Sequence, residues 1–309
     1  MEILLAPTRP GWAFDHRAKD LLALQMRHIR CEIKYFDQIT TEDQDKYDLI
    51  YPMTLGGAEI LHEQKKIPLA KMAAGITSLR SLEPHMLDEK RFKPDFIRFV
   101  KSLRGINTAS DEIVELFEGQ CKIYKTRVGI DPLVFKPSVK RNPKQTFRVG
   151  WVGRIDKPVY RVHKGYQKVL SALKNMDVTL DIRTLKENYV PREEMVTFYQ
   201  GLDCFICSSV SEHLPLPVLE AAACGVPIIT TKVGIVPELI RHRRNGIIVT
   251  GSADSIRQAT SYLMRHRKFR GRLKRRIRRT IEENWTWNHC KRDWERFFRK
   301  MHRKEMISN

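Results

Sequence analysis

Two glutamates, Glu212 and Glu220, lie eight positions apart in the stretch SEHLPLPVLEAAACGVP, with two prolines and an apolar run between them. The stretch contains no lysine or arginine, although the whole chain has 56 of these residues against 36 acids and a net charge of +20. A solvated surface helix would mix charges of both signs. Carboxylates set apart in this way are suited to accepting hydrogen bonds from hydroxyl groups of a ligand.

The surrounding pattern places these glutamates after a predicted strand. The run LDCFICSS predicts a buried strand, and Glu212 follows its carboxyl end. Pro217 suits the first turn of the next helix and Gly225 suits its end, so Glu220 is predicted in the first turn. Each glutamate alone is also explained as loop surface or as an acid that complements a helix dipole. The neighbouring motifs must therefore decide between these interpretations.

Strand-like apolar runs alternate with helical patterns along the chain, which is typical of parallel α/β layers. IPLAKMAAG is predicted to be one of the strands, and long helical stretches are predicted over 253–283 and 287–304. A polar, basic stretch with two prolines interrupts the alternation and predicts a linker at 136–146. We therefore expect one domain over 1–135, a second over 147–285, and a C-terminal helix over 286–309 that crosses back to the first domain.

The segment 208–249, SSVSEHLPLPVLEAAACGVPIITTKVGIVPELIRHRRNGIIV, resembles the donor-binding segment of the RfaG-like family 4 glycosyltransferases, which are retaining enzymes. The family's E-x7-E pair and the motifs that follow it are matched in order and spacing by Glu212, Glu220, Ala221, Cys224, Gly225, Pro227, Gly234, Glu238, Asn245 and Gly246. Upstream, VGWVGRIDKPVYRVHKGYQKVLSAL resembles the family's GR…KG segment, and VGIDPLVFKP resembles its interdomain signature. The resemblance is specific over 125–300 and weak over 1–120.

The resemblance implies an α/β protein of GT-B fold, with two doubly wound, Rossmann-like domains that face an interdomain cleft. The N-terminal domain would lie on the acceptor side and the second domain would bind a nucleotide-sugar donor. UDP is favoured over GDP as the nucleotide of the donor, and neither a metal nor another cofactor is required. The sugar transferred would be a hexose or a pentose.

The resemblance also assigns roles to individual residues. Glu220 would accept hydrogen bonds from the ribose hydroxyls and Glu212 would face the sugar. Arg154 and Lys164 would stabilise the negative charge that grows on the leaving phosphate. The predicted nucleotide-binding set also includes Gly11, Gly153, Leu216 and Pro217.

Gly11 is the predicted site residue of the first domain. It follows the first strand and precedes a helix in PTRPGWAFDHRAKDLL. In the family, backbone amides at this position approach the donor phosphate. An ordinary turn between a strand and a helix explains the same glycine.

The segment 265–279, RHRKFRGRLKRRIRR, contains ten basic residues and no acid. It is interpreted either as a solvated helix or as a contact with an anionic partner. One such partner would be an anionic membrane, on which the enzyme docks peripherally to glycosylate a glycan or lipid acceptor. Another would be phage-type DNA with hydroxymethylated bases as the acceptor. We favour the glycan or lipid because no nucleic-acid-binding motif is visible, and a non-catalytic nucleotide-binding module is the third hypothesis.

The six cysteines are scattered, and Cys204 and Cys207 fall on opposite faces of a predicted strand. That spacing suits neither a metal site nor a redox pair. No segment reaches the roughly 18 apolar residues of a membrane span, and MEILLAPTRP lacks the basic region of a signal peptide. These features predict a cytoplasmic protein, which would lie at the inner face of the membrane if the basic helix binds lipid.

Overall fold

The structure is a computed structural model that describes residues 1–138, 146–184, 186–192 and 194–307, with side chains described as far as residue 302. The chain forms two compact units. Unit 1 comprises Met1–Val128 and Trp287–Asn309, and unit 2 comprises Gly129–Thr286. Of the predicted linker at 136–146, residues 139–145 lie outside the described residues.

Unit 1 contains, within its described residues, six strands that pair only in parallel. They are β1 (Glu2–Leu5), β2 (Arg30–Ile33), β3 (Leu49–Tyr51), β4 (Ala73–Ile76), β5 (Gly105–Thr108) and β6 (Ile123–Lys125). They form two sheets of order β2-β1-β3 and β4-β5-β6, connected by a parallel bridge between Ile50 and Met72. The strand order reverses at β1 and β3, where doubly wound sheets bind their ligands.

The helices that connect these strands are α1 (Ala13–Ala23), α2 (Asp43–Lys46), α3 (Leu55–Lys65), α4 (Pro94–Ser102) and α5 (Asp111–Leu116). Two of them begin at side-chain caps. The hydroxyl groups of Thr54 and Ser110 accept backbone N–H groups in the first turns of α3 and α5. The strand predicted for IPLAKMAAG is only half right, because Leu69–Lys71 form a 3₁₀ turn and the strand starts at Ala73.

Unit 2 contains one parallel sheet, in which the described strands are β7 (Phe147–Val152), β8 (Val178–Arg183), β9 (Cys204–Cys207), β10 (Ile228–Thr230) and β11 (Ile247–Ile248). Its order is β11-β10-β9-β7-β8, so the direction of progression reverses between β7 and β9. Its helices are α6 (Pro158–His163), α7 (Tyr166–Leu173), α8 (Met195–Gln200), α9 (Leu216–Ala223), α10 (Val236–Leu239), α11 (Ala253–Arg265) and α12 (Arg267–Asn284). This is the doubly wound arrangement that the sequence predicts.

The single helical stretch predicted over 253–283 is wrong in one respect, because His266 divides it into α11 and α12. The residue has a non-helical backbone, with φ −110° and ψ 71°. Its ring stacks on Tyr262 with centroids 3.9 Å apart, and Nδ1 lies 2.9 Å from the Tyr262 carbonyl oxygen. The His266 side chain thus provides a hydrogen-bonding partner for a backbone carbonyl in the last turn of α11. That contact favours the end of the helix at this position.

The last helix, α13 (Trp287–Ile307), belongs to unit 1 and supplies one of its two cores. Ile3 and Leu5 of β1 pack in the same cluster as Trp294 and Phe298 of α13, whereas Leu4 lies in the cluster on the other face. Alternate residues of a strand point to opposite faces, so one short strand serves both cores.

Residues 129–137 belong to unit 2 in the structure, although the sequence grouped most of them with the first domain. The Ile130 amide donates to the Trp285 carbonyl at 2.9 Å. Arg278 of α12 donates to the carbonyl oxygens of Pro132 and Phe135 at 3.0 and 2.7 Å. These bonds hold the segment against α12, which explains where unit 2 begins.

Candidate functional site

Three of the predicted donor-site residues lie on the loops that directly follow β7 and β9. Gly153 and Arg154 directly follow β7, and Glu212 lies in the loop that follows β9. The two strands are hydrogen-bonded neighbours, so their carboxyl ends lie side by side. Because the strand order reverses between them, this edge is where a doubly wound sheet binds its ligand.

Lys164 and Glu212 form an ion pair at this edge, between Lys164 Nζ and Glu212 Oε1. Ser209 Oγ donates a hydrogen bond to the same carboxylate oxygen at 2.8 Å. The Lys164 and Glu212 side chains are 30% and 16% exposed, so the pair is partly desolvated yet open to a ligand. The sequence predicted a role for each residue but not their contact. An incoming phosphate would compete with Glu212 for the ammonium group.

The backbone that carries Lys164 is fixed to both strands. Gly165 has φ +64°, and a Cβ at this position would lie 2.2 Å from the Ser208 carbonyl oxygen. The Ser208 hydroxyl donates to the Lys164 carbonyl at 2.7 Å and accepts from Trp151 Nε1 at 3.2 Å. Trp151 lies in β7 and Ser208 directly follows β9, so Lys164 is tied to both strand ends.

Gly165→Ala is expected to lower the free energy of unfolding by about 2 to 5 kcal/mol. A left-handed backbone costs alanine about 1 to 2 kcal/mol, and overpacking against the Ser208 carbonyl adds about 1 to 3 kcal/mol. Gly119→Ala is the matched control, because Gly119 has φ +75° and open space around its Cβ position. Denaturant unfolding measures both variants. Equal losses in the two would contradict the close approach of Gly165 to Ser208.

Arg154 is oriented by Asp156, whose carboxylate accepts from Nε at 3.0 Å and from Nη2 at 2.8 Å. The guanidinium carbon also lies 4.0 Å from the ring centroid of Tyr160. The hydrogen bond to Asp156 raises the pKa of Arg154, and the same bond lowers the pKa of Asp156, so both groups stay charged at neutral pH. Gly153 leaves room for Trp151, because a Cβ there would lie 2.4 Å from the indole ring. Arg154, the residue predicted to contact the donor phosphate, is therefore held in a defined orientation.

Glu220 is the fifth residue of α9, which begins at Leu216 and has Pro217 as its second residue. Its predicted position in the first turn is wrong, because Pro217 occupies the second helical position and Glu220 consequently falls in the second turn. The residue is 6% exposed. Its carboxylate accepts a hydrogen bond from the Tyr199 hydroxyl at 2.8 Å and lies 3.6 Å from Arg192 Nε. Burial and the nearby carboxylate raise the pKa of Tyr199 well above its ordinary value, so the phenol remains a donor.

The residues that hold Glu220 were missed by the sequence analysis. The ring of Phe135 lies 6.3 Å from that of Tyr199 and 5.9 Å from the Arg192 guanidinium carbon, measured to ring centroids. Arg278 donates to the Phe135 carbonyl and also to the Ala223 carbonyl at the end of α9, at 2.7 and 2.6 Å. Segment 129–137 and α9 are thereby joined around Glu220. No local sequence pattern marks these contacts, since they unite four separate parts of unit 2.

Gly11 lies in unit 1 on the loop between β1 and α1, as predicted from the sequence. It has φ +75°, and nothing lies within 4 Å of its Cβ position. Its amide donates to the buried carboxylate of Asp15 at 2.7 Å, and that carboxylate also accepts from Lys19 and Tyr35. The amide of Gly11 therefore already has an acceptor in the structure, and the loop is shaped by Asp15.

In the part of the chain that the structure describes, no three histidine, cysteine, aspartate or glutamate side chains gather closely enough to hold a metal ion. None of the described helices combines the length and the apolar character that crossing a membrane requires.

Residues 187–280 match the family described as Glycosyl transferases group 1. The matched range contains Glu212 and Glu220 together with Arg192 and Tyr199. The chain is also similar to a D-inositol 3-phosphate glycosyltransferase of Paenarthrobacter aurescens, with 29% identity over 180 residues. That similarity covers 54% of this chain but only 38% of the relative, so the chain spans less than half of the relative's length.

Two solved structures share the fold over nearly the whole chain. Sucrose-phosphate synthase from Thermosynechococcus elongatus has a TM-score of 0.74 at 13% identity, covering 97% of this chain and 99% of that one. HepE of Anabaena in complex with UDP has a TM-score of 0.69 at 16% identity, covering 96% of this chain and 99% of that one. At these identities the likeness shows the fold alone. Together with the parallel sheets, it confirms the predicted α/β fold of the GT-B class with two Rossmann-like domains.

Proposed function

We propose that this chain, which carries a group 1 glycosyltransferase segment, is a retaining enzyme that transfers a hexose or pentose from a nucleotide-diphosphate donor. The observation that carries the proposal is the Lys164–Glu212 pair at the β7/β9 edge. That pair stands where doubly wound sheets bind ligands, and Glu212 lies within the range that matches the family. The acceptor is an anionic or membrane-associated glycan or lipid.

The chemistry follows from the charges at this edge. When the bond between the sugar's anomeric carbon and the phosphate oxygen breaks, negative charge grows on the leaving diphosphate. Lys164 and Arg154 are fixed cations that stabilise this charge without reorganising at the moment of reaction. When the donor binds, its diphosphate replaces Glu212 as the ion-pair partner of Lys164. The Glu212 carboxylate is then left facing the sugar.

Glu220 holds the nucleotide in this scheme. Its ordered carboxylate accepts hydrogen bonds from the ribose hydroxyls, as acids do in dinucleotide sites. Leu216 and Pro217 begin the helix that positions it. The Gly11 amide of unit 1 donates to Asp15, so this scheme assigns it no role.

The named relatives support the choice of donor and acceptor class. HepE is described in complex with UDP, which favours UDP over GDP as the donor nucleotide here. The relative from Paenarthrobacter aurescens is named for an inositol phosphate, which is an anionic acceptor. We place the enzyme in the cytoplasm, with peripheral attachment to the inner face of the membrane.

The direct test is a panel of nucleotide sugars with release of the nucleoside diphosphate as the readout. Release from a UDP-sugar, followed by transfer to a phosphorylated glycan or lipid, is the expected result. Transfer to DNA with hydroxymethylated bases instead would replace the acceptor with the DNA alternative. Nucleotide binding without any sugar release or transfer would leave the non-catalytic module as the function.

Sugar transfer is expected to be independent of divalent metal ions. Fixed cations at Arg154 and Lys164 supply the charge stabilisation that Mg²⁺ or Mn²⁺ would otherwise provide at a diphosphate. Turnover in excess chelator should therefore equal turnover in Mg²⁺ within about twofold, well below the tenfold that each 1.36 kcal/mol of barrier represents. A loss of activity in chelator that added Mn²⁺ restores would contradict the metal-free scheme.

A further inference from the structure

Two basic segments far apart in the sequence form one surface of unit 2. The loop 241–244, Arg-His-Arg-Arg, lies beside α12, where Arg276 Nη1 donates to the Arg244 carbonyl at 3.4 Å. Asn245 fastens the loop to the helix by donating to Thr280 Oγ1 at 3.0 Å. Neither the loop nor segment 265–279 contains an acid. We call the loop together with the exposed face of α12 over residues 267–279 the basic surface.

Two arginines of the basic surface, Arg243 and Arg272, are ordered by aromatic rings. Arg243 Nη2 donates to the Tyr262 hydroxyl at 3.1 Å, and its guanidinium carbon lies 5.5 Å from the ring centroid of Phe269. The guanidinium carbon of Arg272 lies 5.6 Å from the same centroid. Cations held over ring faces lose less freedom when they bind a partner.

The exposed face of α12 presents its cations in a row. Lys268, Arg272, Arg275 and Arg279 follow at intervals of four, three and four, which places them on one side of the helix. All four are exposed, although Arg279 is paired with Glu283. At about 1.5 Å of rise per residue, the row from Lys268 to Arg279 is about 17 Å long.

Some of the ten basic residues of 265–279 are used within the protein. Arg270 and Arg278 donate to backbone carbonyls of unit 2. The sequence therefore overstated the free charge of the helix, but it missed the four-residue loop that the fold adds beside it.

We infer that the basic surface binds the headgroups of an anionic phospholipid membrane. Of the four cations in the row on α12, only Arg279 has an acidic partner among the described residues. Neighbouring exposed cations repel one another, so the surface lowers stability unless an anionic partner compensates. Each basic residue near an anionic bilayer contributes about 1 kcal/mol. This inference names the membrane to which the acceptor in the proposed function belongs. It rests on the proposed function only for the reason why the enzyme docks there.

The shape of the surface favours a membrane over nucleic acid. The buried stripe of α12 runs from Phe269 to Ile281, so the helix lies flat on unit 2 and does not project as a groove-reading helix must. Tyr262 and Phe269 are covered by arginines, which leaves their faces closed to base stacking. Of the exposed large hydrophobic side chains in the described part of the chain, none belongs to the basic surface. Binding is therefore electrostatic and reversible by salt.

The test is sedimentation of the full-length protein with vesicles. Wild-type protein should bind phosphatidylcholine vesicles that contain about one third phosphatidylglycerol, should ignore pure phosphatidylcholine, and should be released near 1 M salt, where the Debye length falls to about 3 Å. The triple variant Arg244→Gln, Lys268→Gln, Arg275→Gln should lose at least about tenfold in partition, since three cations contribute up to about 3 kcal/mol. None of these three side chains makes an ion pair among the described residues.

The matched control is Arg80→Gln, Lys90→Gln, Lys101→Gln in unit 1, which lowers the net charge equally and should bind vesicles as the wild type does. The test variant should melt no lower than the control, because it relieves repulsion. Wild-type-like vesicle binding by the test variant would overturn the inference. So would tighter binding of the wild type to short duplex DNA than to vesicles at equal salt. Release of UDP from a UDP-sugar, measured without vesicles, should persist in both triple variants, so failure of docking and failure of the donor site are told apart.

Discussion

Lys164→Ala is expected to lower the rate of sugar transfer at saturating donor by about 10²- to 10³-fold, the loss that follows from removing one fixed donor to a transition-state charge. The ammonium is poised for this role, because it is held at the β7/β9 edge by Glu212 and by a backbone locked at Gly165. Steady-state turnover, measured as nucleoside diphosphate released, gives the rate.

The same substitution at Lys168 is the matched control. Lys168 is exposed on α7, one turn beyond the glycine that follows Lys164, so Lys168→Ala should leave turnover unchanged. If Lys164→Ala raised KM but kept kcat, the ammonium would bind the donor equally in the ground state and the transition state. Lys164 would then have no catalytic role.

Glu220→Gln is expected to weaken the binding of UDP by about tenfold to a hundredfold. Hydrogen bonds to a charged acceptor contribute about 1.5 to 3 kcal/mol, and each 1.4 kcal/mol is a factor of ten in Kd. The substitution keeps the shape of the side chain and removes the charge that the ribose hydroxyls would meet. Titration calorimetry of UDP with the folded variant measures the change.

Tyr199→Phe separates the effect of Glu220 on UDP binding from the effect of its hydrogen bond with Tyr199 on stability. It removes the hydroxyl that donates to Glu220 at 2.8 Å but leaves the carboxylate charged. A modest loss of stability with UDP affinity within a few fold of wild type is expected, since a typical hydrogen bond contributes about 1 kcal/mol. If Glu220→Gln bound UDP like the wild type, Glu220 would be a buried structural acid and the ribose would lie elsewhere.

The alternation of strands and helices was predictable because it depends on local periodicity. Buried strands such as LDCFICSS, and turns that require Pro217 and Gly225, are set by nearest neighbours in sequence. The sequence placed Glu212 at the carboxyl end of a predicted strand, where doubly wound sheets bind ligands. It did not predict the strand order, so the adjacency of β7 and β9 comes from the structure.

Contacts over long separations could not be predicted in the same way. The pairing of Lys164 with Glu212 spans 48 positions, and nothing local distinguishes it from two solvated charges. Glu220 is contacted by Arg192 and Tyr199, and Phe135 lies against both of them. These side chains come from separate loops and helices and meet only in the folded unit. The basic surface also forms only on folding, since the loop 241–244 belongs to it because α12 lies beside the loop.

The proposed function depends above all on the binding of a nucleoside diphosphate at the β7/β9 edge of unit 2. The decisive measurement is a crystal structure of the protein soaked with UDP. We expect the diphosphate within hydrogen-bonding distance of Lys164 Nζ and the Arg154 guanidinium, the ribose hydroxyls hydrogen-bonded to the Glu220 carboxylate, and the Lys164–Glu212 pair separated. UDP bound elsewhere, or bound at this edge with Lys164 still paired to Glu212 and Glu220 untouched, would contradict the proposed function.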